Sequence, residues 1–441
     1  MNSREFPRRR KQLMSMMGTD SIAILPAAPI RMRNRDVEHD YRPDSDFYYL
    51  TGFPETDAVA VLMPGHNPKY VLFCRERDPA KEAWDGDIAG PEGAVNGYGA
   101  DDAYPISDID DILVGLLEKC ERVYYTMGAH RDFDQRLIMW MNQLRASGQR
   151  GGHAPEELIS LEHHLHELRL FKSRAEVGAM RRAAKIAVAA HRRGMRLTRP
   201  GLYEYSVEAE YLHEFRSNGA VCSYPPIVGA GANACVLHYR ANSKKLEDGE
   251  LLLVDAGCEY DYYASDVTRT WPVNGRFSKP QREIYQIVLD AQQAATEQVQ
   301  VGNHWNDPHE AAVKSITRGL IKIGLLKGTP AKLIKEQAHK KFFFHRTGHW
   351  IGMDVHDVGD YKVEEQWRVL EPGMVMTVEP GIYIAPGTKG VPKKYQGIGV
   401  RIEDDVLVTK KGPDVLSGAL ESNPDEVEAL AAENQKPKRR R

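Results

Sequence analysis

Asp255, Asp266, His349, Glu379 and Glu403 supply four carboxylates and one imidazole, each placed where a short apolar run meets a polar side chain. Asp255 ends Leu251-Leu252-Leu253-Val254, which has the character of a buried strand, and Asp266 opens Asp266-Val267-Thr268-Arg269-Thr270, which alternates like a returning strand. Glu379 closes Val375-Met376-Thr377-Val378, and Glu403 is expected in mid-strand beside Arg401 and Asp404. A carboxylate at the end of an apolar strand is costly to bury without cations or donors nearby. Four negative charges match two divalent cations, so the set predicts a two-metal site. The donors are hard and oxygen-rich, which favours Mn2+, with Co2+ or Zn2+ also able to occupy them. Paired metals serve hydrolysis twice over: a bridging water becomes hydroxide at neutral pH, and the substrate carbonyl is polarised. No nucleophilic side chain is then required, and the chain has no Gly-x-Ser-x-Gly elbow, no His-Glu-x-x-His helix and no P-loop.

The eleven-residue spacing of Asp255 and Asp266 suits two strands joined through a tight connection, Cys258 to Tyr263, which can aim both acids at one point. Three histidines, His345, His349 and His356, fall within twelve positions among glycines that permit a tight backbone, a density that points to a site. His238 follows Gly229 and Gly231, which suggest a backbone bend bordering a pocket.

These residues need a scaffold, and the chain is long enough for two. At 441 residues and 42% hydrophobic, it exceeds one ordinary core. Strand-like runs at Ser21–Leu25, Ala58–Met63 and Tyr70–Phe73 and a helical run at Ile109–Lys119 predict a mixed α/β domain over 1–168, with a loop at Ser147–Gly152 near its end. A charged, Ala-rich run, Lys172–Met195, predicts a long surface helix opening a second α/β (α+β) domain over 169–441. The net charge of −3 argues against nucleic acid as a main partner, and no apolar run approaches the ~20 residues of a membrane helix. Arg8-Arg9-Arg10 is followed by a segment too short and polar for a signal core, so an amphipathic first helix is expected. Cys74, Cys120, Cys222, Cys235 and Cys258 are odd in number and lack zinc-type spacing, which suits reduced thiols and a cytoplasmic location. The basic run Lys436–Arg441 is expected to be a solvated terminus.

The chain resembles the pita-bread-fold metallopeptidases, and among them most nearly the aminopeptidase P group. The resemblance lies in Leu253-Val254-Asp255-Ala256-Gly257, Asp266-Val267-Thr268-Arg269-Thr270, Gly348-His349-Trp350 through Val355-His356-Asp357-Val358-Gly359, Thr377-Val378-Glu379-Pro380-Gly381 and Gly399-Val400-Arg401-Ile402-Glu403-Asp404-Asp405. Ser45–Phe53 and Glu167–Ser173 extend it through the N-terminal domain. The resemblance implies a pita-bread catalytic domain in which the five residues bind two ions, usually manganese, with Asp266 and Glu403 bridging or nearly so. It also implies that Glu379 carries a proton from the water to the leaving proline nitrogen. His238, His345 and His356 would hold the scissile carbonyl and its oxyanion, and Arg401 would pair with an outlying acid. Asp36, Tyr383 and Trp84 are similar to residues used around that arginine or at a neighbouring subunit's cleft, which implies a homodimer or homotetramer. Ser223-Tyr224-Pro225-Pro226 departs from the family pattern, where one of those prolines is uncommon, a change that touches the cleft wall rather than the ligands.

The reaction so implied is release of the N-terminal residue from peptides with proline second. That bond is a tertiary amide without an N–H, so an apolar shelf for the ring suits it, with Tyr224, Trp350 and Tyr383 as shelf residues. Two rival readings share the fold: a prolidase cleaving Xaa-Pro dipeptides, and a non-catalytic pita-bread protein that binds partners through its cleft. The second generally loses ligands, whereas all five positions here carry a competent one.

Overall fold

Apolar and β-branched runs make Ser21–Pro26, Val59–Leu62 and Tyr70–Cys74 strands, almost every residue of which is buried. They lie side by side in a computed structural model of the chain, which describes residues 3–148 and 152–433. Gln149, Arg150 and Gly151 of the expected loop, and the whole of Lys436–Arg441, lie outside the described residues.

Two compact units divide the chain, Met1–Leu168 and Arg169–Arg441. In the first, a six-stranded mixed sheet runs in the order Asp102–Pro105, Tyr70–Cys74, Val59–Leu62, Ser21–Pro26, Arg122–Tyr124, Glu157–Ile159. Helices Ile109–Leu117 and Arg131–Ser147 contribute Leu113, Leu117, Leu137 and Trp140 to the core formed with Ile22, Ile24, Val71 and Phe73. The first helix, Glu5–Met16, buries Leu13 together with Arg9 and Arg10, whose guanidinium groups donate to the carbonyls of Tyr49 and Leu50. The paired arginines are therefore structural donors in this unit.

The second unit opens with the helix Arg174–Leu197, started by a capping box between Ser173 and Glu176. Sequence pattern suggests a surface helix, but half of it is embedded: Ala183, Ile186, Ala187, Ala190 and His191 are all buried. Its alanines lie in a core with Tyr211 and Phe215 of the next helix, Glu204–Ser217, and with Val228, Leu252 and Val254 of the adjacent strands. A second core gathers the helices Lys279–Thr296 and Asp307–Lys322 against Val375–Val378, Gly381–Ile384 and Ile398–Arg401. The unit thus mixes helices with several small antiparallel sheets, and the functional side chains project from the seams between them. All five cysteines are free, and among the described residues no helix is long and apolar enough to cross a membrane.

Candidate metal centre

Asp255 is the last residue of Leu251–Asp255, which pairs antiparallel with Thr268–Pro272 so that Asp255 lies opposite Thr268. Asp266 falls two residues ahead of the returning strand, because a smaller hairpin, Cys258–Tyr260 with Tyr263–Ala264, interrupts the expected simple connection. Gly257 is needed where the chain leaves the first strand: a Cβ there would meet the Ser265 carbonyl oxygen at 1.7 Å. Glu379 immediately follows Val375–Val378. Glu403 is not in mid-strand: it occupies the break between Ile398–Arg401 and Asp404–Thr409, bridged to Thr268, where no continuous ladder competes for its backbone.

These segment ends converge. Asp266, His349 and Glu403 each offer a ligand atom within 4.8 Å of the others. His349 Nε2 lies 3.3 Å from Asp266 Oδ2 and 3.9 Å from Glu379 Oε1. On the other side, the Tyr224 hydroxyl contacts Asp255 Oδ1 and Asp266 Oδ1, both at 2.5 Å. Thr268 donates to Glu403 Oε2 at 2.6 Å, and Arg401 Nη2 meets Asp255 Oδ2 at 2.5 Å. The acid that pairs with Arg401 is therefore one of the five, not an outlying one.

The electrostatics call for cations. Burial, opposed by Arg401 and reinforced by Asp266, pushes Asp255 up to about 6. Burial raises Glu379 to about 7 against the pull of His349 and Arg401, and it raises Glu403 well above the carboxylate range with help from Asp266 and Glu379. Asp266 is held low despite burial, by its bond to His349, whose imidazole burial would lower but Asp266 and Glu379 raise to about 9. His349 Nδ1 lies 2.9 Å from the Trp350 carbonyl, so as a donor there it leaves Nε2 facing the acids, the arrangement of a metal-ligating histidine. A hard donor set with more negative charge than burial tolerates fits divalent cations.

Around this set a cleft of about 410 Å³ is lined by all five residues with His238, His345, His356 and Arg401. His345 Nδ1 lies 3.6 Å from Glu379 Oε2, and the His349 and His356 rings meet edge to face at 4.3 Å. Burial, then the charge of Arg401, lowers His345 to about 3, which keeps that ring neutral. Asp357, next to His356, is buried against Arg169 at 2.6 Å and Lys172 at 3.0 Å, which anchors that end of the loop.

The expected apolar shelf is rearranged. The Tyr224 hydroxyl lies between two carboxylates that share its one proton, and Trp350 is 0% exposed, stacked on Tyr361 and packed against Trp305. The Tyr383 hydroxyl joins His345 Nε2 at 2.9 Å to Arg401 Nη1 at 3.1 Å, with its ring buried. Leu237 and Tyr361 line the cleft in their place, and neither carries a sequence signal that marks it. Asp36 and Trp84 lie exposed in the first unit, whereas every residue lining the cleft belongs to the second. His191 also escapes sequence reasoning: its Nε2 lies 3.2 Å and 3.0 Å from the carbonyls of Ala256 and Val267, the residues directly after Asp255 and Asp266.

A helix-and-strand catalytic unit with one imidazole among four acids defines a metallopeptidase. The profile of metallopeptidase family M24 matches residues 178–410, and that of the aminopeptidase P N-terminal domain matches residues 6–124. The chain belongs to metallopeptidase family M24. It is 44% identical to the Xaa-Pro aminopeptidase of Escherichia coli, over 98% of each chain, and 34% identical to human Xaa-Pro aminopeptidase 3, over 97% of this chain and 86% of that one. Among solved structures, an aminopeptidase of Pseudomonas aeruginosa superposes with a TM-score of 0.98 at 56% identity, covering 99% of both chains. A zinc-substituted Escherichia coli aminopeptidase P in complex with product superposes at 0.96 with 43% identity, covering 99% of this chain and 100% of that one.

Proposed function

We propose that this chain is a metal-dependent aminopeptidase that removes the N-terminal residue from peptides with proline second. The observation that carries the reading is the convergence of Asp255, Asp266, His349, Glu379 and Glu403 in one histidine-lined cleft. The full-length likeness to Xaa-Pro aminopeptidases favours this activity over a prolidase, and the complete ligand set speaks against a non-catalytic binder.

Asp255, joined to Asp266 through Tyr224, and Glu379, 3.9 Å from His349, add two carboxylates to the central three donors, which suits two cations rather than one, and the oxygen-rich set suits manganese. When bound, these ions supply a polarised carbonyl and a water acidic enough to ionise near neutrality. The remaining work falls to the protein's own groups. Glu379 takes up and returns a proton at its carboxylate oxygen beside the leaving nitrogen. His238 and His356 line the cleft where the scissile carbonyl is held, and neutral His345 keeps its ring fixed between the Arg346 carbonyl and Tyr383. Tyr224, Thr268 and Arg401 hold the carboxylates in register. The working form is a cytoplasmic homodimer or homotetramer, in which exposed Asp36 and Trp84 meet a neighbouring copy.

The test is hydrolysis of Xaa-Pro-Yaa and Xaa-Pro by the chelated protein resupplied with Mn2+, Co2+ or Zn2+, together with elemental analysis. Release of the first residue from the tripeptide, restored best by manganese at two ions per chain, is expected. Cleavage of the dipeptide alone would make it a prolidase, and no hydrolysis with any metal would overturn the reading.

A further inference from the structure

Two cations lie against one indole at the edge of the cleft, with no carboxylate to meet them. Arg346, a cleft-lining residue, holds its guanidinium carbon 4.8 Å from the centre of the Trp367 ring and donates from Nη1 to Asn306 Oδ1 at 3.0 Å. Lys362 Nζ lies 4.9 Å from the centre of the same ring. Cross-strand pairing fixes Lys362 opposite Trp367 in a short hairpin, whose turn residues Glu364 and Glu365 both have positive φ, 49° and 64°. Among the described residues no carboxylate comes within 4.0 Å of either charge, those two glutamates included. An indole and an amide orient these cations without neutralising them. Most charged side chains near the cleft are paired, as Arg401 is with Asp255.

A peptide offers a complement. Its amino end carries positive charge and is drawn to the acids of the cage, while its carboxyl end is negative. Arg346 directly follows His345, whose ring stands 3.6 Å from Glu379, the group proposed above to protonate the leaving nitrogen. We infer that Arg346 and Lys362 receive the C-terminal carboxylate of short substrates, one residue beyond the proline, and so set a preference for free tripeptides. Reversed, a peptide would set its amino group against both cations, so the pair also enforces the direction of binding. The inference rests on the aminopeptidase reading.

The experiment compares kcat and KM for Xaa-Pro-Yaa and its C-terminal amide in the native enzyme, in Lys362→Gln, and in Arg346→Gln with Lys362→Gln. The native enzyme should favour the acid by roughly three- to tenfold in kcat/KM, carried by KM and shrinking with salt, as expected for exposed charge pairs. Lys362→Gln should lose part of that preference. The double variant should treat acid and amide alike within about twofold, with its fold checked separately by circular dichroism and the urea midpoint. Equal handling of acid and amide by the native enzyme, or a preference that survives in the double variant, overturns this inference alone. Absence of cleavage of either peptide overturns the aminopeptidase reading and this inference with it.

Discussion

Replacing His191 with glutamine should make the second unit's stability less sensitive to acid. The ring is fully buried, with Nε2 shared between the carbonyls of Ala256 and Val267 and Nδ1 at 2.9 Å from the Tyr211 hydroxyl. Nε2–H is then the donor, and Nδ1 accepts from the tyrosine. Burial, then the charge of Arg269, lowers this imidazole from its ordinary 6.5 to about 3. Below pH 6.5 the unfolded chain binds a proton that the folded chain refuses until about pH 3. Stability from this group is therefore complete above pH 6.5 and declines as the pH falls. At pH 5 the loss is about 2 kcal/mol, at 1.36 kcal/mol per pH unit, with a ceiling of roughly 5 kcal/mol below pH 3. Glutamine can still donate to the carbonyls and accept from Tyr211, but it takes up no proton. His191→Gln should cost about 1–3 kcal/mol at pH 7 through imperfect geometry. Between pH 7 and pH 5 it should then lose about 2 kcal/mol less than the native protein. Urea unfolding with chelator at both pH values measures this, and the titrating acids of the cage cancel between the two proteins. Equal loss in native protein and variant would refute the reasoning.

Three further outcomes are expected. Glu379→Gln should retain appreciable metal while losing most turnover, whereas Glu403→Gln should lose both; metal analysis beside kinetics decides, and native turnover in Glu379→Gln would remove Glu379 as proton carrier. Tyr224→Phe deletes a donor shared by Asp255 and Asp266 and should weaken metal binding roughly 10–100-fold with little change in fold, measured by competition with a chelator. Asp357→Ala leaves Lys172 buried without its carboxylate and should destabilise the protein by about 3–5 kcal/mol, read as a shift of the urea midpoint.

The convergence of the five residues on one cleft is legible in the sequence because each is an anomaly: an acid or imidazole abutting an apolar run that supplies its own reason to be buried. Strand positions in the first unit were legible for the same cause, since Ser21–Pro26, Val59–Leu62 and Tyr70–Cys74 are apolar throughout. What escaped depends on tertiary position. Tyr224, Trp350 and Tyr383 are amphipathic, and chain pattern cannot say which end meets the substrate; the fold turns their hydroxyls, or their whole rings, inward. His191 sits in an alanine-rich helix whose charges suggest a solvated face, and the carbonyls that hold it come from the connection between two strands more than sixty residues later. The position of Glu403 is hidden in the sequence because apolar residues on both sides of it, Val400 and Ile402 before and Val406-Leu407-Val408 after, conceal the break between two sheets.

That break has a physiological corollary. Asp255 and Asp266 leave one antiparallel strand pair, but His349, Glu379 and Glu403 come from separate later segments, and the set gathers only when the second unit has assembled. The unfolded chain therefore offers a cation only scattered single ligands, and the free energy of metal binding adds almost wholly to that of the folded form. Free metal at a hundred times its dissociation constant would raise stability by about 2.7 kcal/mol. A cell short of that metal would hold not merely idle copies but shorter-lived ones, since a greater unfolded fraction meets its proteases. Under the proposed two-metal reading, a full ligand set on one hairpin would bind a cation before folding was complete, whereas ligands held at seams would tie the amount of this protein to the supply of its ion.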